Sequence, residues 1–315
     1  MQVWCRVGRV WFLIAALLAV AWPAPVEAQV VWSEEFEGES IDRSIWSYDI
    51  GGHGWGNGQL EFNTDRRENS YIEDGKLVIE ARREKYHGNE FTSARMVTRG
   101  HFAFQYGTLE ARIKVPSTAN GIWPAFWMLG HHFPRDPWPQ CGEIDILEIG
   151  GKEGIEQGLQ RRRINCALHF ANAENVKESL VAWHNADVDL NDDYHIYKLV
   201  WTPARLEFFL DDVNFGGWDI TAEYLAEYHQ PFFLMLNVAV GSYKSSYNEC
   251  DTPDKITASM PSRMYVDWIR LTRNDQTKLI TNERDDQSPS ASRKLDSSTA
   301  GRATGNVVGH ENPLP

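Results

Sequence analysis

The sequence predicts an all-β protein, and three observations carry that prediction. Apolar and polar residues alternate with a period of two over many short stretches. Gly, Pro and Asn punctuate those stretches at close intervals. Helical periodicity is confined to one short segment, "TAEYLAEYHQ", residues 221–230. Together these features point to an antiparallel sandwich or barrel, and no repeat of the propeller or solenoid kind is visible.

The strands can be taken in chain order. "GKLVIEARR" turns Leu77, Ile79 and Ala81 to one face. "GTLEARIKVP" turns Leu109, Ala111, Ile113 and Val115 inward, with Thr108, Glu110, Arg112 and Lys114 outward. "HIYKLVWTPARLEFFLDD" reads as two strands joined through Thr202 to Arg205, ending at a turn near Asp211 and Asp212. "PFFLMLNVAVG" and "MYVDWIRLTR" supply the closing strands.

Flanking segments differ in composition. Arg6 and Arg9 precede an apolar run from Val10 to Trp22, and small residues lead to "VEA" ending at Ala28. That layout is a secretory signal peptide over residues 1–28, cleaved before Gln29, and its apolar run is short for a membrane span. Beyond Asp275 the chain is rich in Ser, Gly, Asn and charge, which predicts a disordered tail over 276–315. Residues 29–275 then form one large domain, expected to be monomeric and secreted, extracellular or periplasmic.

The net charge is −13. The leader carries +1 and the tail zero, which leaves −14 on the domain. Such a surface repels phosphate backbones and anionic bilayers, so nucleic acid and membrane are excluded as partners and neutral ligands fit better. Of four cysteines, Cys5 leaves with the leader. Cys141, Cys166 and Cys250 allow at most one intrachain disulfide and lack the spacing of a zinc site.

One strand stands apart. "GEIDILEIG", residues 142–150, holds Glu143, Asp145 and Glu148 among Ile144, Ile146, Leu147 and Ile149. Glu143 and Asp145, two apart, face the same way. Leu147 breaks the alternation, and one extra residue near Ile146 and Leu147 repairs it. A β-bulge there returns Glu148 to the acidic face and Ile149 to the core. Two carboxylates on one face suit glycoside hydrolysis, in which one attacks and the other donates a proton. The negative charge of Asp145 would raise the proton affinity of a neighbouring glutamate. Two other readings stay open at this point: a calcium or magnesium cage, although cation loops favour turns rich in Asp, Asn and Gly, and a solvated sheet face.

Glu-Ile-Asp-Ile-Leu-Glu resembles the signature of glycoside hydrolase family 16 in its bulged form, typical of laminarinases, agarases and carrageenases. Further matches run over residues 31–273: "VWSEEFEGESIDRSIW", "GWGNGQLEFNT", "TSARMVTRG", "YGTLEARIKVPSTANGIWPAFWMLG", "PFFLMLNVAVG" and "YVDWIRL". The chain departs from the laminarinase pattern at Leu147, at Ile149 and in "SYKSSYNECDTPDKIT".

The resemblance implies a β-jelly-roll of two antiparallel sheets with a concave cleft, and a retaining endo-1,3-β-glucanase acting on β-glucan. By motif, Glu143 is the nucleophile, Glu148 the acid/base and Asp145 the residue that tunes them. His169 lies near the carboxylates, Asn57 and Arg95 hold hydroxyls, and Asn237 faces the cleft. Trp123 and Trp127 share a face with Ala125, and flat rings there can stack on the apolar faces of sugars. No cofactor is implied for catalysis. A structural calcium is implied on the convex side, held by the Glu35 and Gly75 carbonyls and by Asp267. The alternatives are the same chemistry on mixed-linkage glucan or on agar- or carrageenan-type galactan, transfer to a sugar acceptor, and a non-catalytic β-glucan recognition protein. Proteins of that last kind lack the two glutamates kept here.

Overall fold

The computed structural model describes residues 29–244, 248 and 250–281. The expected leader and most of the expected tail lie outside the described residues. From the N-terminus the strands are β1 (Val30–Glu34), β2 (Ser47–Tyr48), β3 (Glu61–Asn63), β4 (Ser70–Glu73), β5 (Lys76–Tyr86) and β6 (Asn89–Ser93). Next come β7 (Arg95–Val97), β8 (Phe102–Gln105), β9 (Gly107–Lys114), β10 (Ile122–Gly130), β11 (Glu143–Ile149) and β12 (Arg163–Ala171). The rest are β13 (Lys177–Asn185), β14 (His195–Trp201), β15 (Arg205–Leu210), β16 (Val213–Asp219), β17 (Phe232–Val240), β18 (Ser262–Thr272) and β19 (Lys278–Thr281).

These strands form two sheets among the described residues. The ten-stranded sheet runs β16-β15-β14-β9-β18-β5-β6-β3, with β1 on β18 and β4 on β5. The nine-stranded sheet runs β13-β12-β11-β10-β17-β7-β2, with β8 joining β17 and β19. All pairings are antiparallel except β3 with β6.

Alternation along each strand builds the core between the sheets. Leu109, Ala111 and Ile113 of β9 are fully buried, as the period of two requires. They share one cluster with Phe126 and Met128 of β10 and Ile144 and Ile146 of β11. Each of the larger side chains, from Leu109 to Ile146, contributes roughly 1.5–3 kcal/mol by leaving water, and Ala111 less. A second, smaller cluster lies on the other face of the nine-stranded sheet, where Trp127, Leu129, Phe233, Met235 and Val97 pack together.

Three expectations change. Residues 221–230 do not form an α-helix: a 3-10 helix spans Glu223–His229, kinked at Leu225. The α-helix that does form, Lys152–Glu156, is too short to show periodicity in the sequence. The domain also continues past Asp275, because β19 pairs with β8 through Lys278↔Gln105 and Ile280↔Ala103. Sheet pairing there supplies the order that composition alone did not promise.

Candidate active site

The acidic strand β11 is bracketed by Gly142 and Gly150, both at positive φ. A Cβ at Gly150 would lie 2.0 Å from the Ile122 carbonyl oxygen, so the chain leaves β11 against the backbone of β10's first residue. The expected bulge is present. Against β10, Glu148 faces Ala125, Leu147 faces Phe126 and Asp145 faces Trp127, which leaves Ile146 as the extra residue. Against β12, Asp145 faces Ala167 and Glu148 faces Asn165. Ile146, Leu147 and Ile149 are fully buried. The three acids thus share the outward face while the apolar residues enter the core.

Cross-strand register extends this face sideways. Glu143 faces His169, which faces Ser179. Asp145 faces Ala167, which faces Val181. Glu148 faces Asn165, which faces Trp183, and on the other side the row continues through Ala125 and Asn237 to Arg95. Residues in register share a face, so one line of side chains crosses six strands, with Glu148 near its middle.

Hydrogen bonds hold Glu148, whereas the other two acids face a histidine. Trp123 Nε1 donates to Glu148 Oε1 at 2.9 Å, and Asn165 Nδ2 donates to Glu148 Oε2 at 2.8 Å. His169 Nε2 lies 3.2 Å from Asp145 Oδ2 and 3.7 Å from Glu143 Oε1. Its Nδ1 bonds Ser179 Oγ at 2.6 Å, which fixes the ring. Tyr228, from the 3-10 helix, donates to the carbonyls of His169 (3.0 Å) and Glu143 (3.3 Å) and clamps the two strands together.

Burial raises all three carboxyls, and repulsion from a neighbouring acid adds to it at Glu143 and Asp145. Burial, then the charge of Asp145, pushes Glu143 up to about 8, against the pull of His169 and Arg95. Burial and Glu148 raise Asp145. Burial also raises Glu148, while Asn165, His169 and Trp123 draw it back. Such a cluster keeps a proton at neutral pH, as a proton donor requires. Donor atoms of Glu143, Asp145 and His169 lie within 4.8 Å of one another, a spacing that also suits a small cation.

Beside the carboxylates, Trp127 Nε1 donates to Asn237 Oδ1 at 2.7 Å. The Arg95 guanidinium sits 4.7 Å from the Trp127 ring centre and 5.0 Å from that of Trp55, paired to Asp49 at 3.4 Å. Cation–π contacts of this kind hold a guanidinium where carbohydrate hydroxyls can reach it.

Comparison with known proteins places this arrangement. A family model described as the glycoside hydrolase family 16 domain of β-porphyranases A–D matches residues 27–272. The chain belongs to glycoside hydrolase family 16. It is 35% identical over 258 residues to a β-glucanase of Rhodothermus marinus, covering 78% of this chain and 85% of that protein. The laminarinase catalytic domain of Thermotoga maritima superposes with a TM-score of 0.65 at 37% identity, over 78% of this chain and 98% of that one. A family 16 protein of Bacteroides ovatus, in complex with the product G4G4G3G, gives 0.68 at 30% identity, over 77% and 100%.

Within this family 16 domain the expected residues fall into two groups. Glu143, Asp145, Glu148, His169, Trp123, Trp127, Asn237 and Arg95 converge on one face. Asn57 sits exposed in the loop before β3, where its carbonyl oxygen accepts from Ser242 Oγ at 2.7 Å. Trp123 and Trp127 are only 7% and 8% exposed, so they brace the site more than they pave it. Among the described residues the exposed indoles are Trp138 and Trp183, which sequence reasoning missed. Trp138 lies 6.4 Å from the His169 ring, with Lys177 Nζ 4.9 Å from its own ring centre. The motif "WPQCGEIDI" put Trp138 five residues before Glu143, which was the available signal; Trp183 left none without the register of β12 and β13.

The expected calcium ligands belong to the other sheet. Arg112 donates to Asp267 Oδ2 at 2.6 Å and Lys76 lies 3.9 Å from Oδ1. The Glu35 carboxylate is held by Arg270 at 2.8 and 2.9 Å. Two cations already face the one side-chain ligand, so this donor set does not fit a divalent ion. Cys141, Cys166 and Cys250 are all buried free thiols.

Proposed function

We propose that this chain is a secreted, retaining endo-glycosidase that hydrolyses 1,3-β-linked glucan. The observation that carries the reading is the bulge in β11, which aligns Glu143 and Glu148 on one face with Asp145 between them. The β-glucanase and laminarinase relatives support glucan as the substrate class. The leader-like residues 1–28 support export.

In the first step the Glu143 carboxylate forms a bond to the anomeric carbon while the glycosidic bond breaks. The proton of Glu148 goes to the departing oxygen. In the second step Glu148 takes a proton from water, the water oxygen bonds to the anomeric carbon, and Glu143 is released with the configuration retained. Burial and the Asp145 charge leave Glu143 raised to about 8, so attack uses the ionised fraction, which His169 and Arg95 enlarge, while burial favours the protonated Glu148 that donates.

The β-porphyranase description of the matching family model sets porphyran beside glucan as a second substrate. A chain with net charge −13 argues for the neutral polymer. Reducing-end release from laminarin, lichenan and porphyran, with proton NMR of the first product, tests both points. Laminarin cleavage with a β-configured first product is expected. An α-configured product would overturn the mechanism, and cleavage of porphyran alone would overturn the substrate.

A further inference from the structure

The row through Glu148 has two unequal arms. On the β10, β17 and β7 side it meets Ala125, Asn237 and Arg95, all buried and tied to Trp127, Asp49 and Trp55. On the β12 and β13 side it meets Asn165 and then Trp183, 38% exposed, with Val181 of the same strand face 44% exposed. Trp183 is two strand spacings from the acid, about 10 Å, within reach of a short run of sugar units.

The indole is held in place. Arg163 lies 4.7 Å from its ring centre, and that guanidinium is fixed by Glu153 at 2.9 Å and Asn185 at 3.3 Å. A rigid aromatic surface on a clamped support costs little ordering when a ligand stacks on it. Core packing does not explain this indole, because β13 is the edge strand and the Trp183 side of it faces away from the core.

The two arms suit the two ends of the bond being cleaved. The sugar with the reacting carbon must be held in one orientation, which the dense polar set of the first arm provides. The chain beyond the bond must be held and then released, which an exposed indole beside a valine provides without a network of hydrogen bonds to break. We propose that Trp183, seated on Arg163 beside Val181, is the stacking platform for the leaving side of the glucan chain. The inference rests on the glycanase reading of β11 and adds the residue that receives the departing chain.

The test is the ratio of two specificity constants: laminarin, which fills both arms, and an aryl β-laminaribioside, whose leaving group carries no sugar. Trp183→Ala should lower the ratio of laminarin to aryl glycoside roughly three- to ten-fold. Trp183→Phe should recover part of it. The proportion of products from transfer to added laminaribiose should fall in parallel, because an acceptor sugar occupies the same platform.

An equal loss on both substrates, or no loss on either, would overturn the platform. So would an altered oligomeric state with an unchanged ratio, which would make the β13 edge a contact between copies. Failure of the glycanase reading is distinguishable, since the wild type would then cleave neither substrate. In that event laminarin affinity decides: weaker binding by Trp183→Ala sustains the platform and unchanged binding overturns it.

Discussion

Two sets of acids, one on each sheet, are treated in opposite ways. In the ten-stranded sheet, Glu80 is 1% exposed and lies against Arg82 and Arg263, the latter at 2.6 Å, with Tyr71 donating at 3.0 Å. Asp267 is paired with Arg112, and the Arg270 guanidinium holds Glu35 below the ordinary carboxylate range. In the nine-stranded sheet, Glu143, Asp145 and Glu148 crowd one another without an arginine salt bridge among the described residues, and all three are raised despite His169 beside them. The difference shows that an acid matched by arginine serves the fold, whereas an acid crowded by acids is kept at a cost in stability for chemistry.

The largest expected effect is on turnover. Glu143→Gln should reduce kcat/KM on laminarin by about 10³-fold or more, since it removes the proposed nucleophile. Glu80→Gln should stay within a few-fold of wild type in turnover. In urea denaturation, however, it should lose about 3 kcal/mol, because two arginines are left without their carboxylate. Similar activity losses in both variants would break the contrast between the sheets.

A smaller effect concerns stability and pH. Glu143 titrates near 4.5 when unfolded and is pushed up to about 8 when folded. Between those values the folded chain retains a proton that the unfolded chain has lost, so this group's contribution falls as pH rises through the window. Glu143→Gln removes that titration. Its thermal stability relative to wild type should be lowest at pH 5 and rise towards pH 8, by on the order of 1–3 kcal/mol. A constant difference across the range would show that burial does not raise this carboxyl.

The smallest effect is a shift in the pH profile. Asp145 raises Glu143 by its charge, so Asp145→Asn should move the acid limb of kcat/KM towards lower pH, by roughly half a unit to one unit. A limb that stays in place would remove Asp145 from the role of tuning residue.

Much of the site was legible because its signal is local. The broken alternation at Leu147 is a statement about neighbouring residues, and the bulge follows from it without any knowledge of β10 or β12. The same holds for β9, whose inward and outward faces follow the alternation. The segment 221–230 misled because its apolar spacing suits a helix, while contact of Leu225 and Tyr228 with the core and the Tyr228 bonds to β11 and β12 select a kinked 3-10 form. The strand Lys278–Thr281 was hidden because its order depends on the partner strand β8.

By itself, then, the sequence determined the all-β class, the acidic strand with its bulge, and which side chains of β9 and β11 enter the core. All of these depend on spacing within a few residues. Tertiary structure decided which strands lie beside β11, and so which groups meet Glu143, Asp145 and Glu148. His169, Asn165 and Tyr228 reach the acids only because β12 and the 3-10 helix pack there. Trp183 joins the Glu148 row only through the register of two successive strand pairs. Register is set by the burial of whole faces, a property that no short stretch of the chain contains.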